Sequence, residues 1–447
     1  MQMGDSNKVS KRKRTFNSFF AGIGGFDLAL DREGFTAAAQ CEIDTFCQGV
    51  LGAHWPDVAL FKDITRIDPS DLPEADVWCG GFPCQDVSVA RGSNKRAGLA
   101  GKNSGLFFSF LELARSERPE TILLENVVGL LSSHNGQDFR VVIEELTSLG
   151  YAVAWRVLNS RYFGSPQSRP RVFVCASLKS NELPIRVLYQ QKPGHNPTGV
   201  RDGFLRDSRC HLSGAIVAEV AYCLAATSGR HTGTDWSRTY VSYDDAVRRL
   251  TPTECEGLQG FPVGWTTNVG ASPIRPADED SLRYKALGNA VSVPVAQWIA
   301  KRLMAELTKP AASVATSVEG VISQAPDFKG RTLRKSKLSD LHLSEDGVLH
   351  QLKWQSGGYA LGDECWDLAA PAAPNRPIQK KLIEVIEATI PDARYFLSAN
   401  AAEGILRRVD SQNRTLFGPM DRALRYMAQY GPSAGACLPK RTRRAAA

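Results

Sequence analysis

Short apolar runs recur along the first 175 residues of the chain, separated by stretches rich in polar residues and glycine. The runs TFNSFFA, AAAQCEI, DVWCGG, ETILLENV, YAVAWRVL and RVFVCASL have the length and composition of buried strands. The first part of the chain is therefore predicted to contain a series of strands.

Between these runs, apolar residues follow helical spacing. In FDLALDREGF, Phe26 and Leu30 fall on one helical face, and Gly34 is placed to end the helix. Residues 106–115 and 139–149 predict two further helices. Strands that alternate with helices indicate an α/β fold with a doubly wound, mostly parallel sheet. Ligands of such sheets bind beyond the carboxyl ends of the strands.

The pattern changes after residue 178, where Gly, Pro, Ser, Thr and Arg become frequent and periodicity fades. It returns as predicted helices at 287–303, 379–389 and 401–408. The chain is thereby divided into a basic tail at 1–14, a main domain at 15–178 completed by 284–305, a loop-rich small domain at 179–283, a linker at 306–323 and a separate C-terminal module at 324–447.

Composition narrows the class of protein. A chain of 447 residues that is 43% hydrophobic is not disordered over most of its length. Apolar runs fall short of the roughly 18 residues needed to span a bilayer, and the N-terminus has no apolar signal region. We therefore expect a cytoplasmic protein without membrane contact. The ten cysteines contain no C-x-x-C pair and no zinc spacing, so no metal is expected.

A net charge of +7 and the basic segments KVSKRKR and KRTRR fit either a solvated surface or a polyanionic partner. The sequence GIGG at residues 22–25 lies between a predicted strand and helix, where glycines allow a tight turn close to a ligand. Glu42 ends the next strand and is placed to bind ribose hydroxyls, and Asp63 follows the third strand, near an adenine. Together these residues predict an adenosine-containing cofactor.

Three more groups are predicted to lie at the same edge of the sheet. Cys84 follows GGFP, and Glu125 ends the apolar strand TILL, where partial desolvation would raise its pKa. Arg169 and Arg171 precede the strand RVFV. The segment 88–104 carries several cations among Gly and Ser, and such a loop can close over a phosphate backbone.

Taken in order, these segments resemble the DNA (cytosine-5) methyltransferase family. The motifs are FFAGIGGFDLAL, CEID, KDIT, GGFPCQDVS, LLENV, FGSPQSRPRVF, RRLTPTECEGLQGFP and KALGNAVSVPVA. They cover about 15–178 and 247–305. The resemblance implies a Rossmann-like methyltransferase fold, S-adenosylmethionine as cofactor, and residues 179–283 as target-recognition domain and hinge.

The resemblance also implies residue roles. Cys84 would attack carbon 6 of a cytosine flipped out of duplex DNA, Glu125 would contact ring nitrogen 3 and the exocyclic amine, and Arg169 and Arg171 would line the site, with Arg171 the better candidate to touch the base. The implied cofactor residues are Phe20, Gly22, Gly24, Glu42, Ile43, Asp63, Ile64, Pro83, Leu106, Asn289 and Val291. The implied DNA-binding residues are Ser88, Arg91, Lys95, Arg96, Arg230 and Arg238.

We therefore expect a monomeric enzyme that acts on double-stranded DNA near the nucleoid, with a cognate restriction endonuclease as a candidate partner. YFLSANAAEGILRR and LFGPMDRALRYMA are similar to extensions of phage-encoded cytosine methylases, which suggests phage or prophage DNA protection. The C-terminal module either packs or oligomerises, or contacts DNA.

Three other functions share some of these sequence features. A tRNA substrate would use the same fold, but the discrete insert before LQGFP favours DNA. A non-catalytic DNA-binding protein would not need Cys84, Glu125 and both arginines. A dinucleotide-dependent oxidoreductase is disfavoured because the glycine turn is not G-x-G-x-x-G.

Overall fold

The structure is a computed structural model, and it describes residues 13–83, 105–190, 202–229, 234–267, 276–309, 333–341 and 353–431. Its strands are β1 (Thr15–Phe19), β2 (Thr36–Cys41), β3 (Ala59–Phe61), β4 (Val77–Gly80), β5 (Thr121–Val127), β6 (Ala152–Asn159), β7 (Pro170–Ser177), β8 (Asp207–Arg209), β9 (Ile216–Ala218), β10 (Tyr240–Ser242), β11 (Val247–Arg249), β12 (Arg334–Lys337), β13 (Gly357–Leu361) and β14 (Glu364–Leu368).

The α-helices of the described residues are α1 (Gly25–Arg32), α2 (Thr45–His54), α3 (Leu106–Glu117), α4 (Gln137–Ser148), α5 (Leu183–Leu188), α6 (Pro252–Gln259), α7 (Pro276–Asn289), α8 (Val293–Leu307), α9 (Ala399–Ser411) and α10 (Gly418–Tyr430). Among these described helices, none is long and apolar enough to cross a membrane.

A ten-stranded sheet forms the centre, in the order β12-β14-β13-β6-β7-β5-β4-β1-β2-β3. From β3 to β5 neighbouring strands are parallel, whereas β7 runs antiparallel to both β5 and β6. The chain moves outward from β1 to β3 and then returns to β4, so the switch point lies between β1 and β4. The predicted α/β, mostly parallel fold is confirmed, and the crevice expected for a ligand is at this switch point.

Two apolar cores cover the two faces of the sheet. Phe16 of β1 belongs to the core that includes residues of α1, α5 and α8, whereas Phe19 belongs to the core with residues of α3 and α4. Phe16 and Phe19 lie on opposite faces because successive side chains of a strand alternate between the two faces of the sheet. Helices therefore pack on both faces of the sheet, and backbone pairing sets the register of β1, β4 and β5.

The C-terminal strands differ from the expectation of a separate module at 324–447. β13 pairs antiparallel with β6, and β14 and β12 follow it in the same sheet. Gly358 lies so close to the indole of Trp155 that a Cβ there would overlap the ring. The buried guanidinium of Arg156 in β6 donates to the carbonyls of Pro371 and Ala373 at 2.9–3.1 Å. The strands of this segment thus continue the sheet of the main domain.

Two predicted helices also differ. The segment 287–303 is not one helix: α7 ends at Asn289 and α8 begins at Val293, because Pro294 starts a new helix and cannot continue one. Residues 379–389 form only a 3-10 turn, Leu382–Val385. There the backbone binds other elements: Leu382 N donates to Glu219 O at 2.7 Å. The helix predicted at 401–408 is confirmed as α9.

The small domain contains a four-stranded sheet in the order β11-β10-β9-β8. Helix α6 then begins with a capping box, in which the Thr251 hydroxyl accepts from Glu254 N and the Glu254 carboxylate accepts from Thr251 N. Glu254 also forms a fully buried, two-bonded ion pair with Arg248, with both distances 2.8 Å. The motif RRLTPTE thus fixes the exit from the small sheet.

Candidate active site

Strand register brings the predicted site residues together. Phe19 pairs with Gly80, and Gly80 pairs with Leu124. The next residue on each of these three parallel strands is Phe20, Gly81 or Glu125. Three of the sequence motifs therefore meet side by side at the switch point, although they are far apart along the chain.

The turn from β1 to α1 has an unusual backbone. Phe20, Gly22 and Gly24 all have positive φ, at 53°, 57° and 81°. A bulky residue such as Phe20 rarely adopts this conformation, and such strain is found where function demands a particular side-chain placement. A Cβ on Gly24 would lie 2.5 Å from the Trp55 ring. At Gly22, no described heavy atom lies within 4 Å of a Cβ position.

Glu42 connects this turn to the end of β2. One carboxylate oxygen accepts from Gly22 N and the other from Asp44 N, both at 2.8 Å. Burial raises the pKa of Glu42, and these backbone donors oppose the rise. Each oxygen keeps a second lone pair that can accept a hydroxyl. Beside it, Ile43 is 68% exposed in the described part of the chain, an apolar surface suited to an aromatic ring.

The other predicted cofactor residues surround the same crevice less directly. Asp63 accepts from the Thr65 hydroxyl at 2.7 Å and from Thr65 N at 2.9 Å, and these two bonds lower the pKa of Asp63. It caps a 3-10 turn that begins with the buried Ile64. Val291 contacts both glycine loops: its carbonyl is 2.8 Å from a Cβ position on Gly25, and its Cγ2 is 3.7 Å from one on Gly81.

Pro83 and Leu106 are half-buried at the ends of the described segments that flank residues 84–104, and Asn289 is exposed at the end of α7. The glycine turn, the carboxylate acceptor and the exposed apolar side chain fit an adenosine group. An S-adenosylmethionine molecule would be held by these residues.

Glu125 is the buried acid of the site. Its side chain is 10% exposed, and its Oε1 lies 3.2 Å from Arg171 Nε. Burial raises the pKa of Glu125, while the cations of Arg171 and then Arg169 oppose the rise. A carboxyl group in this setting holds a proton more readily than an exposed one, so it can donate to a ring nitrogen.

The loop before Cys84 packs against this acid. A Cβ on Gly81 would be 3.6 Å from Glu125 Oε2, and Asn126 Nδ2 donates to Phe82 O at 3.2 Å. The loop is therefore fixed to β5 as far as Phe82. Cys84 itself lies outside the described residues, as do Ser88, Arg91, Lys95, Arg96 and Arg230.

The two arginines have different surroundings. Arg169 is buried and donates to the carbonyls of Leu224, Gly288 and Ala290 at 2.7–3.0 Å. It therefore joins the start of β7 to the small domain and to the end of α7. Arg171 is half-buried and lies beside Glu125, so of the two arginines it is the one that pairs with the buried acid.

Cys223 is a site residue that the sequence did not indicate. Its sulfur lies 3.5 Å from Arg169 Nη1 and 3.8 Å from Arg171 Nη2. Desolvation alone would raise the pKa of the thiol, but the two guanidinium groups lower it below its ordinary value. No cysteine spacing marks this residue, because only the fold brings it to the arginines.

A second missed residue is Trp265. Its indole Nε1 donates to Ile23 O in the glycine turn at 2.8 Å, and its ring stacks on His54 at 3.4 Å. The hinge region thereby supports the turn. Arg238, in contrast, donates to the carbonyl and hydroxyl oxygens of Thr227 at 2.7 and 2.8 Å. These two bonds hold the Arg238 guanidinium against Thr227.

The fold and site define a Rossmann-like, S-adenosylmethionine-dependent methyltransferase. A family model described as C-5 cytosine-specific DNA methylase matches residues 14–207 and 216–305. The chain belongs to this family and is a DNA (cytosine-5-)-methyltransferase.

Similar proteins include the type II methyltransferase M2.BsuMI of Bacillus subtilis strain 168, which is 30% identical over 88% of this chain and 92% of that protein. M.NgoBI, a type II methyltransferase of Neisseria gonorrhoeae, is 32% identical over 66% of this chain and 93% of that protein. Among solved structures, the S. pombe Dnmt2 methyltransferase covers 66% of this chain and 100% of its own, with 18% identity and a TM-score of 0.49.

Proposed function

We propose that this enzyme methylates carbon 5 of a cytosine flipped out of a specific duplex DNA sequence, through a covalent bond to Cys84. The observation that supports this best is the contact between the loop ending at Pro83 and the buried Glu125–Arg171 pair. Cys84 follows Pro83 directly in the chain, so the nucleophile and the acid would act on one base.

The proposed chemistry begins with the Cys84 thiolate, which adds to carbon 6 of the ring. The electrons of the carbon 5–carbon 6 double bond are then shared between carbon 5 and nitrogen 3. Glu125 supplies a proton to nitrogen 3. Carbon 5 is then electron-rich enough to accept a methyl group. Bound S-adenosylmethionine would supply the methyl group from its sulfonium, and its sulfur would leave as a neutral thioether. Loss of the carbon 5 proton to a base then restores the carbon 5–carbon 6 double bond and expels the thiolate, and nitrogen 3 returns its proton to Glu125.

Arg171 has two tasks in this scheme. Its guanidinium fixes the orientation of the Glu125 carboxyl, and its positive charge limits how far burial raises the pKa of that carboxyl. Arg169 acts through position, since both of its terminal nitrogens donate to backbone carbonyls. We therefore assign contact with the base to Arg171 and support of the cleft to Arg169.

The target atoms are inaccessible within a duplex, so the cytosine must leave the stack at a cost of about a few kcal/mol. The small domain at 179–283 is proposed to read the DNA sequence around it. We propose that the DNA backbone and the neighbouring bases are held by Ser88, Arg91, Lys95, Arg96, Arg230 and Arg238.

We propose that the biological role is protection of DNA from a cognate restriction endonuclease, or of phage or prophage DNA, on the nucleoid. The relatives named above are type II methyltransferases, which supports the first role. A single set of site residues on one chain is consistent with a monomer. The residues 324–447 are proposed as an accessory part of the enzyme.

The function is tested by expressing the chain in cells that lack cytosine methylation and sequencing their DNA after bisulfite treatment. The expected result is conversion-resistant cytosine within one short sequence, absent with Cys84→Ala. In parallel, purified enzyme is offered duplex DNA and tRNA with labelled S-adenosylmethionine. Methylation of tRNA but not DNA would contradict the proposal.

A further inference from the structure

We propose that helices α9 and α10 position the segment Asp235–Ser237 of the small domain, and so set how selectively the enzyme recognises its DNA site. This inference rests on the proposed role of the small domain in reading DNA. Asp235–Ser237 immediately precedes Arg238, one of the residues proposed to contact DNA, and Arg230 lies a few residues before it.

A buried ion pair joins α9 to this segment. The Asp235 side chain is fully buried, and its Oδ2 accepts from Arg408 Nη2 at 2.9 Å and from Arg408 Nε at 3.2 Å. The other oxygen accepts from the Tyr240 hydroxyl at 2.8 Å, so the same carboxylate also contacts β10. A buried charge that loses its ionic partner is costly, so removal of Arg408 should displace Asp235.

Contacts to Trp236 extend this attachment beyond the end of α9. Its indole Nε1 donates to Gln412 Oε1 at 2.8 Å. The guanidinium carbon of Arg414 lies 4.5 Å from the centre of the ring, within the range of a cation–π contact. Two neighbouring residues of the small domain are therefore held by three side chains from the C-terminal segment.

Apolar side chains also pack α9 and α10 against the small sheet. Tyr240 and Val247 of the small sheet share one buried cluster with Ile405 of α9 and with Leu424 and Met427 of α10. The backbone adds a bond from Leu397 N to Val247 O at 2.9 Å. The small sheet has only short strands, and the helices cover its face.

This arrangement is an addition to the family core. The family model ends at residue 305, and M.NgoBI matches over 93% of its length while covering 66% of this chain. Since β13 extends the main sheet while α9 and α10 pack on the small one, the C-terminal segment joins the two sheets. It is placed to fix the small domain relative to the catalytic edge.

The test compares Arg408→Ala with Arg407→Ala, the neighbouring exposed arginine of α9, in the full-length enzyme. Steady-state kinetics are measured on the wild-type recognition site and on duplexes with one base changed. Arg408→Ala should raise the KM for cognate DNA by about tenfold and reduce the ratio of cognate to near-cognate methylation by about tenfold. Its kcat should stay within about twofold of wild type. Arg408→Lys should recover part of the ratio, and Arg407→Ala should match wild type.

A second pair of variants covers the case in which Arg408→Ala fails to fold. Gln412 and Arg414 are exposed, and Gln412→Ala with Arg414→Ala should lower the same selectivity ratio without unfolding the chain. An unchanged ratio in these variants, or equal loss on all duplexes, would overturn the inference. If the wild type methylates DNA selectively, such a result leaves the proposed function intact; if the wild type does not, both proposals fail.

Discussion

At the scale of single residues, the chemistry depends on charges placed where water is largely excluded. Glu125 and Arg171 form a partly enclosed pair, so neither behaves like an exposed side chain. Cys223 completes the group with a sulfur close to both site arginines. The sequence predicted Glu125 at the end of an apolar strand, and in the structure β5 continues two residues past it to Val127. No sequence pattern pointed to Cys223, because only the fold brings it to the arginines.

The pH dependence of methyl transfer should report the Glu125–Arg171 pair. Burial raises the pKa of Glu125 and Arg171 lowers it, so Arg171→Gln should raise the pKa further. If the protonated carboxyl is the active form, the decline of kcat at high pH should move upward in this variant. Arg171→Lys, which keeps the charge, should restore the wild-type midpoint. Profiles with identical midpoints in all three proteins would contradict the assignment.

A second acid, Asp27, affects folding rather than chemistry. It is fully buried in the first turn of α1, where its oxygens accept from the Ser18 hydroxyl at 2.9 Å and from Gln40 Nε2 at 2.7 Å. Burial is the main cause that raises the pKa of Asp27 from 3.8 to about 6. The folded chain therefore holds a proton that the unfolded chain releases.

Because the folded pKa is raised, this stabilising contribution is complete below about pH 3.8 and is lost as the pH rises through about 6. Asn does not titrate, so Asp27→Asn should remove this pH dependence. The Asn amide can still form a hydrogen bond with the Ser18 hydroxyl. Relative to the variant, the wild type should lose on the order of 3 kcal/mol between these limits. Urea unfolding at several pH values measures the difference, and parallel stability curves would show the prediction to be wrong.

At the scale of elements, the strand-to-helix turn between β1 and α1 is where we propose that the cofactor binds. The sequence predicted this turn from its glycines, and it predicted β1, β2 and β4 to β7 from their apolar runs, whereas no apolar run marked β3. It did not reveal the register that places Phe20, Gly81 and Glu125 side by side, because register depends on partners distant in the chain. Nor did it reveal that Trp265 and Trp55 support the turn.

Two glycines of the turn should respond differently to alanine. Gly22→Ala adds only the strain of positive φ, roughly 1–2 kcal/mol, because its Cβ would face open space among the described residues. Gly24→Ala adds overlap with the Trp55 ring as well, roughly a further 1–3 kcal/mol. Unfolding free energies should therefore rank Gly24→Ala as the less stable.

Cofactor titrations of the same pair provide the control. A methyl group at Gly22 would enter the space proposed for S-adenosylmethionine, so Gly22→Ala should weaken its binding out of proportion to the small loss of stability. Equal affinity in Gly22→Ala and wild type would place the cofactor elsewhere.

At the scale of the whole molecule, the C-terminal segment contacts both sheets: its strands extend the main sheet, and its last two helices pack on the small one. The sequence predicted helix α9 correctly, since its apolar spacing is local. It did not predict the attachment of β13 to β6, because a strand that pairs across some 200 residues leaves no local pattern. It also assigned helix to 379–389, where hydrogen bonds to other elements override local preference.

A chain ended at residue 305 should therefore be unstable even though it contains the whole family match. It would expose Trp155, which is buried against Trp354 and Gly358, and leave β6 as an open edge. The expected loss is roughly 5 kcal/mol or more, by analogy with deletion of large buried side chains. Thermal unfolding and hydrogen exchange of the β6 amides measure it. An unchanged melting temperature with protected β6 amides would contradict this view.

Covalent catalysis by Cys84 can be trapped with 5-fluorocytosine. In a duplex with this base at the target position, fluorine cannot leave carbon 5 as a proton does, so the thiol cannot be expelled after methyl transfer. With S-adenosylmethionine present, we expect a complex that survives denaturation. Peptide mass mapping should show the base attached to Cys84, and Cys84→Ala should form no complex. Attachment to another residue, or no attachment by an enzyme that methylates ordinary cytosine, would contradict it.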